Sequence, residues 1–403
     1  MRKTSSTAMD LGQEEANPWR ESLEQRLRER MRELIEQVLE EEVEEALGAP
    51  RSQRAATRSG YRHGVKPRRL VLRGGAVQVA VPRARSVTPA GGEREWQSRL
   101  VPRYRRATPE VEQAVLGVYL SGGNTRRIRA ALSPLLRHAP LSKSAVSRLV
   151  ARLEESYQSW QKRDLSAEEI VYLYLDAIYL KVRSGGRVVS LAVLVALGVK
   201  ASGEKQLLTL HTAGAERTTA WEMLLEDLAA RKLGRPRLVI SDGNPGLAAA
   251  LERVWPGVPR QRCTVHKLRN LEAKAPQHAH AELREDYHRI VYAQDRAAAT
   301  RAHQAFLGKW RKRSPAVATS LEEAGEELLT FYAFPPSQWL SLRTTNAIER
   351  LQLEFRRRVK TQGALPGETA ALRLLFGLLA SGQIRLRRIK GFREINEKHE
   401  AAA

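Results

Sequence analysis

The chain has 403 residues, enough for two or three domains of roughly 100–200 residues each, and its 68 Lys and Arg against 45 Asp and Glu give a net charge of +23. At 42% hydrophobic and 28% charged residues it can bury a sizeable core and is not a disordered chain. One cysteine, Cys263, excludes a disulfide framework and every zinc site built on paired cysteines, and the longest uncharged apolar run, residues 188–199, is too short to span a bilayer.

Met1-Arg2-Lys3 is followed by a polar stretch with no apolar core, so no signal peptide is expected and the expected location is intracellular. A surplus of positive charge this large repels itself unless a polyanion offsets it. Residues 51–107 carry 15 Lys and Arg against Glu93 and Glu95, a local +13. Basic side chains interleaved with Tyr61 and His63 suit a phosphate backbone with a base or sugar beside it. An acidic protein partner and a membrane surface are the alternatives.

In chain order, Asn17-Pro18 reads as a helix start. Leu23, Leu27, Met31, Leu34, Ile35, Val38, Leu39 and Leu47 then recur at helical spacing until Gly48 and Pro50. That stripe serves either a dimer or packing onto its own chain. Leu70 and Leu72, then Val77, Val79 and Val81, alternate on either side of Gly74-Gly75 and predict a β-hairpin in the most basic region. Arg62, Arg68 and Arg69 are its candidate DNA contacts. Thr108-Pro109 starts a helix with Val111, Ala114, Val115 and Val118 on one face. Asn124 is expected to cap a second, holding Ile128 and Leu132. Ser142 is expected to cap a third, with Ala145, Val146, Leu149 and Val150 inward and Lys143, Ser147, Arg148 and Arg152 outward. The three fit a helix-turn-helix unit read out by residues 143–152, although small three-helix units are also common without DNA.

Beyond Asp164 the composition changes. Residues 170–180, 188–199 and 206–210 predict three strands in succession, followed by a helix at 218–232, a buried strand at 238–240 and a helix at 245–254. Strands in a row, then alternating helix and strand, indicate a mixed α/β sheet flanked by helices. From His266 to about Leu329 the pattern is helical and strand-free, and Pro335-Pro336 marks a boundary.

Three carboxylates stand out in this half. Asp176 is the only charged residue in the run 170–180, and a carboxylate inside a central strand is costly unless a cation or strong donors compensate it. The bland reading is an Asp bonded to backbone amides at a strand end. Asp242 follows the apolar strand Leu238-Val239-Ile240, a frequent place for chemistry in α/β sheets and equally a good turn former or helix cap. Glu349 lies in Thr344-Thr345-Asn346-Ala347-Ile348-Glu349 at a helix start, where Asn346 and Glu349 alone would pass for a capping box. Arg356 and Lys360 follow it two and three turns on at nearly the same angle. Taken jointly, three carboxylates and one scissile phosphate balance two hard divalent cations, which activate the attacking oxygen and stabilise the leaving one.

These segments resemble the Mutator-type Asp-Asp-Glu transposases of bacterial insertion sequences. Leu175-Asp176-Ala177-Ile178-Tyr179-Leu180-Lys181-Val182-Arg183 resembles the family's first-aspartate strand, and Ser241-Asp242-Gly243 with Gly246-Leu247 its second. Thr344 to Leu351, with Arg356-Arg357-Arg358, Lys360 and Gly363, is similar to its glutamate helix. Arg262-Cys263-Thr264-Val265-His266-Lys267-Leu268-Arg269-Asn270 is similar to its Cys/His signature, and Tyr61-Arg62, Gly64, Val81-Pro82-Arg83 and Arg103-Tyr104 follow the family's order. The resemblance runs from about Arg51 to Pro366. Asn244-Pro245 replaces a commoner His, Gln352 a usual Asn and Val359 a usual Thr.

The resemblance implies a ribonuclease-H-like catalytic core in which Asp176, Asp242 and Glu349 bind two Mg²⁺ ions, with Mn²⁺ as a substitute. It implies a helical insertion between the last two, cleavage at the ends of the element, and attack of the freed 3′-hydroxyl on a target phosphate. Double-stranded DNA, as terminal inverted repeats and as target, is the expected partner, with a homodimer or higher assembly on paired ends, no membrane, and a cytoplasmic, nucleoid-associated location. The expected domains are a helix at 1–50, a basic hairpin region at 51–107, a helix-turn-helix at 108–165, the core at 166–265 and 336–366, the insertion at 266–335 and a helical tail at 367–403. His266 and Arg269 are expected to approach the scissile phosphate or order the catalytic face; packing and helix capping, or half of a zinc site completed by His278, His280 or His288, are the alternatives. Competing functions are a ribonuclease-H-type nuclease without strand transfer and a DNA-binding regulator derived from a transposase.

Overall fold

The computed structural model describes residues 18–53, 55–87, 92–121, 128, 132, 143–360 and 363–395, with side chains from residue 23 onward and not at 129–131, 143 or 144. The chain divides into two compact units, residues 1–150 and 151–403.

In the first unit, α1 (Pro18–Leu47) is a 30-residue helix. Its carboxyl-terminal half buries Leu39, Val43 and Leu47, with Ile35 partly buried, against a small sheet. Leu23, Leu27 and Leu34 stay exposed. The predicted stripe therefore packs onto its own chain only along its second half. The helix stops at Gly48, whose φ of +64° and the Thr57 carbonyl, 2.4 Å from any added Cβ, admit only glycine.

The sheet consists of β1 (Gly60–Leu72), β2 (Gly75–Val87) and β3 (Glu93–Glu95), all antiparallel in the order β1-β2-β3. Leu72 pairs with Gly75, so the tight turn is Arg73-Gly74 and the strands extend well beyond the alternating Leu and Val that announce them. Leu70, Val77, Val79 and Val81 form the core face together with Leu39 and Val101.

Next come α2 (Pro109–Leu120) and α3 (Lys143–Gln161). Val111, Val115, Ile128, Leu132 and Val146 share one apolar cluster, the packing expected of three short helices. The expected cap residues Asn124 and Ser142 and most of the middle helix lie outside the described residues, as does Asn17 before α1.

The second unit is built on a five-stranded sheet of β4 (Ile170–Ser184), β5 (Arg187–Lys200), β6 (Lys205–Ala213), β7 (Leu238–Ser241) and β8 (Arg260–Arg262). Their order is β6-β5-β4-β7-β8, the first three antiparallel and the last three parallel. Strand β4 is central and buried on both faces, so its sequence is almost wholly apolar. Leu173 and Leu175 point to one face, where α4 (Thr218–Ala230) and α5 (Pro245–Val254) cover them with Trp221, Leu224, Leu228, Leu247 and Leu251. Tyr172 and Tyr174 point to the other, where their hydroxyls donate to Gln338 Oε1 and, at 2.9 Å, to the Ser341 carbonyl. Strand β8 went unrecognised in the sequence because three residues reading Arg-Gln-Arg carry no alternation.

After β8 the chain is helical through α6 (Thr264–Glu272), α7 (His280–Val291), α8 (Arg296–Arg313) and α9 (Pro315–Ala324), in line with the strand-free pattern from His266 onward. Asp286 ties α7 to α8 by accepting from Lys309 and Trp310. The chain then returns to the sheet as α10 (Trp339–Leu342), α11 (Asn346–Lys360) and α12 (Glu368–Ala380). Among the described residues no helix is long and apolar enough to cross a membrane.

Leu224 is fully buried between the sheet and α5, so Leu224→Ala is expected to destabilise the chain by about 2–5 kcal/mol, read as a lower urea midpoint with little change in slope.

Candidate active site

The parallel pairing of β4 and β7 matches Tyr172 with Leu238, Leu173 with Val239 and Tyr174 with Ile240. Continued by two residues, the same register brings Asp176, midway along β4, beside Asp242, just past the carboxyl end of β7. Asp176 Oδ1 accepts the amide of Ala177 at 2.8 Å. Burial nevertheless pushes its carboxyl up to about 7; the charges of Asp242 and Glu216 push the same way, against the Ala177 amide and His266. The alternative of an Asp bonded to backbone amides at a strand end holds only for the amide bond: Asp176 lies midway along β4, and the bond does not offset its burial.

Asp242 opens a tight turn. Its Oδ1 accepts the amide of Asn244 at 3.0 Å. Gly243 has φ +87°, and an added Cβ would lie 2.2 Å from Arg262 Nε, so only glycine fits. Asn244, rather than Asp242, caps α5: its Oδ1 accepts from Gly246 and Leu247 at 2.8 and 3.2 Å.

Glu349 reaches the same region from α11. The helix lies against β4, where Gln352 Nε2 donates to the carbonyl of Ala177, next to Asp176, at 3.2 Å. Its first turn closes on the Thr345 carbonyl, and Thr345 Oγ1 donates to Glu349 Oε1 at 3.0 Å. The donor to Glu349 is therefore Thr345, and the capping box expected from Asn346 is not what holds this carboxylate.

Cys263 and His266 bridge the two acids. The Cys263 amide donates to the Ser241 carbonyl at 2.7 Å, one residue from Asp242, and its thiol accepts from the Thr345 amide and hydroxyl at 3.4 and 3.2 Å. His266 Nε2 lies 3.5 Å from Glu349 Oε1, and Nδ1 lies 3.4 Å from Thr345 Oγ1. The hydrogen bond to Cys263 raises the imidazole to about 9; burial opposes this, and the charges of Cys263, Glu349 and Asp176 reinforce it. Burial alone would raise the Cys263 thiol, but hydrogen bonds from His266 and Thr345 hold it below its ordinary value. Glu349 and Asp176 thus both act on the imidazole in the direction of its protonated form.

Asp176, Asp242 and Glu349 share this neighbourhood without forming one tight cluster. Among the described residues, the group of three acid, imidazole or thiol donors lying within 4.8 Å of one another is Cys263, His266 and Glu349. His278, His280 and His288 take no part in it; His280 Nε2 faces the Ala275 carbonyl and His288 packs edge-on to Tyr292.

One acid escaped the sequence reading. Glu216, in the loop between β6 and α4, accepts from Asn244 Nδ2 at 3.3 Å and adds to the negative field on Asp176. In sequence it looks like an ordinary loop acid two residues ahead of a helix, and only tertiary packing brings it to the Asp242 turn. Its hydrogen bond to Tyr179 is the main reason that phenol is pushed up to about 12.

The remaining expected contact residues are scattered. Arg269, Arg356 and Lys360 are exposed on α6 and α11, as are Ser147, Arg148 and Arg152 on α3. Lys143 begins α3, its side chain outside the described residues. Arg62 pairs with Glu40 at 2.6 Å and Arg68 donates to the carbonyls of Val101, Pro102 and Arg105, so both guanidinium groups hold the first unit together. Arg69 is exposed on β1.

A family model described as transposase, Mutator family, matches residues 2–385. The chain is 37% identical over 336 residues to the transposase for insertion sequence element IS406 of Burkholderia multivorans, spanning 83% of this chain and 84% of that protein. It is 34% identical over 335 residues to the transposase for IS1081 of Mycobacterium tuberculosis, spanning 83% and 79%. To the transposase for IS256 in transposon Tn4001 of Staphylococcus aureus it is 31% identical over 330 residues, spanning 81% and 82%. The side chains of Asn244 and Gln352 both have structural partners: one caps α5 and the other fastens α11 to β4.

Replacing Glu216 by Gln removes the charge beside Tyr179. The Tyr179 ring is expected to titrate closer to the ordinary phenol value near 10, read by carbon-13 NMR of labelled tyrosine; a titration still near 12 would show that Glu216 does not control it.

Proposed function

Because the chain belongs to the Mutator family of transposases, we propose that it cuts DNA at the terminal inverted repeats of an insertion sequence and joins the freed ends to target DNA, with Asp176, Asp242 and Glu349 as its acidic triad. The observation that carries this reading is the parallel pairing of β4 with β7, whose register, continued two residues past Tyr174 and Ile240, aligns Asp176 with Asp242, together with the packing of α11, which carries Glu349, against β4. The sheet order β6-β5-β4-β7-β8, three antiparallel strands followed by two parallel ones, supports a ribonuclease-H-like core.

The donor set fits a pair of hard divalent cations such as Mg²⁺, with Mn²⁺ as a substitute. It offers carboxylate oxygens, and Asp176 is held near neutrality by burial and by like charges that a cation would offset. The triad need not be mutually close, because in a two-ion site the outer carboxylates serve different ions. When bound, the ions would supply Lewis acidity to the scissile phosphate and to the attacking oxygen.

The chain's own groups do the rest. Thr345 and His266 fix the rotamer of Glu349 from two sides. His266 carries positive charge toward the side on which a phosphate's charge develops, and Arg269, Arg356 and Lys360 add exposed cations on the same two helices. The basic sheet and the exposed face of α3 supply sequence-independent phosphate binding, with Arg148 and Arg152 as readers of the repeat. Paired ends imply at least two copies on DNA, in the cytoplasm with the nucleoid.

With a DNA fragment carrying the repeats, the parent is expected to nick and join in Mg²⁺ and to stop when the metal is chelated. Asp176→Asn and Asp242→Asn are expected to lower cleavage by about a thousandfold or more while repeat binding persists. Either variant cutting like the parent would refute the triad, and cutting without a joined product would mark a nuclease. For the reading helix, Arg148→Ala is expected to weaken repeat binding and to reduce the salt-dependence slope by about one if the contact is a phosphate; unchanged binding and slope would remove α3 from the interface.

A further inference from the structure

The Cys263, His266 and Glu349 cluster has a chemistry that the acidic triad does not use. Cys263 sits at the amino-terminal cap of α6 and His266 follows in its first turn, so the Cys-X-X-His spacing turns both donors to one side. Glu349, in the first turn of α11, completes a set of one sulfur, one imidazole nitrogen and one carboxylate oxygen, all within 4.8 Å of one another. Thr345 Oγ1 marks the point on which they converge, at 3.2 Å from Cys263 Sγ, 3.4 Å from His266 Nδ1 and 3.0 Å from Glu349 Oε1. The thiol is fully buried, while the side chains of His266 and Glu349 keep 26% of their surface open. An ion therefore enters from the His and Glu side.

We infer that Cys263, His266 and Glu349 form a capture site for a borderline divalent cation, Zn²⁺ above all, and that filling it withdraws Glu349 from the triad. Sulfur and imidazole donors select Zn²⁺ over Mg²⁺, which prefers oxygen ligands and keeps its water. Zinc ligands stand about 2.0–2.3 Å from the metal, so the three donors close by roughly 1 Å as the Thr345 hydroxyl turns away. A fourth position stays open to water. Binding displaces a proton from each of two donors: the S–H bond of Cys263 and the N–H bond at the ligating nitrogen of protonated His266 break, S–Zn and N–Zn bonds form and two protons leave to solvent, with no change of oxidation state. One carboxylate cannot serve this site and the Asp176 and Asp242 side together, so zinc becomes an antagonist of the magnesium-dependent reaction. The antagonism rests on the proposed function; the binding does not.

The test uses the full chain. Co²⁺ is titrated as a spectroscopic stand-in for Zn²⁺, and zinc-edge X-ray absorption is measured on the zinc-loaded parent. Expected are a thiolate-to-cobalt charge-transfer band that Cys263→Ser abolishes, a tenfold or greater loss of zinc affinity in Cys263→Ser and in His266→Ala, and one sulfur in the zinc shell. The parent spectrum needs no variant to fold, and with a single cysteine in the chain a thiolate signal identifies Cys263. No thiolate band and no sulfur scatterer would overturn the site. In parallel, cleavage of repeat DNA at fixed Mg²⁺ is followed as Zn²⁺ is added, and falling cleavage is expected. A parent that cuts in Mg²⁺ but shows no sulfur–metal signal defeats this inference and spares the proposed function. A sulfur–metal signal in a chain that never cuts DNA supports the capture site and defeats the proposed function instead.

Discussion

Burying a carboxylate in the middle of a central strand is the constraint around which the second unit is arranged. Asp176 lies on β4, the strand flanked on both sides, where water is scarce and a negative charge is held near its protonation midpoint. The parallel neighbour β7 makes this harder because a second acid, Asp242, follows it directly, and the loop before α4 adds Glu216. Purely structural design would avoid such a concentration. That the fold holds like charges together, beside an imidazole whose protonated form is favoured, is the physical basis for expecting cations and phosphate at this part of the sheet.

The supporting contacts explain how residues so far apart in the chain are held there. Ser241 and Cys263 join backbone to backbone, Cys263 meets Thr345, Thr345 meets Glu349, and Gln352 returns to β4 beside Asp176. This circuit spans β4, the β7 turn, the start of α6 and the start of α11, and each link is a short polar contact in a largely buried setting. Its sensitivity follows from the same fact. Thr345 Oγ1 is shared among three partners, so one hydroxyl couples the carboxylate of Glu349 to the thiol and imidazole beside it.

The first unit illustrates how charge counts mislead at the level of single residues. Its surplus of Arg points to a polyanion, yet Arg62 is neutralised by Glu40 and Arg68 is absorbed by three carbonyls. Both are structural cations within a basic region. Lys66 on β1 and Arg148 on α3, by contrast, are exposed.

Local patterning alone gave away the strands and helices of the second unit apart from β8, the strand-free stretch after His266 and the oddity of Asp176. These rest on local periodicity and on the cost of one charge in an apolar run, which need no partner to be seen. It also marked Asp242 and Glu349, but left each balanced against a cap or a turn. Those ambiguities resolve in three dimensions: the helix cap is Asn244, and Glu349 is held by Thr345 and His266. The same holds for Glu216, for the three-residue strand β8 and for the half of α1 that packs inward. Each depends on groups distant along the chain, and proximity of that kind is fixed by the register of strands and the docking of helices, which no local pattern encodes.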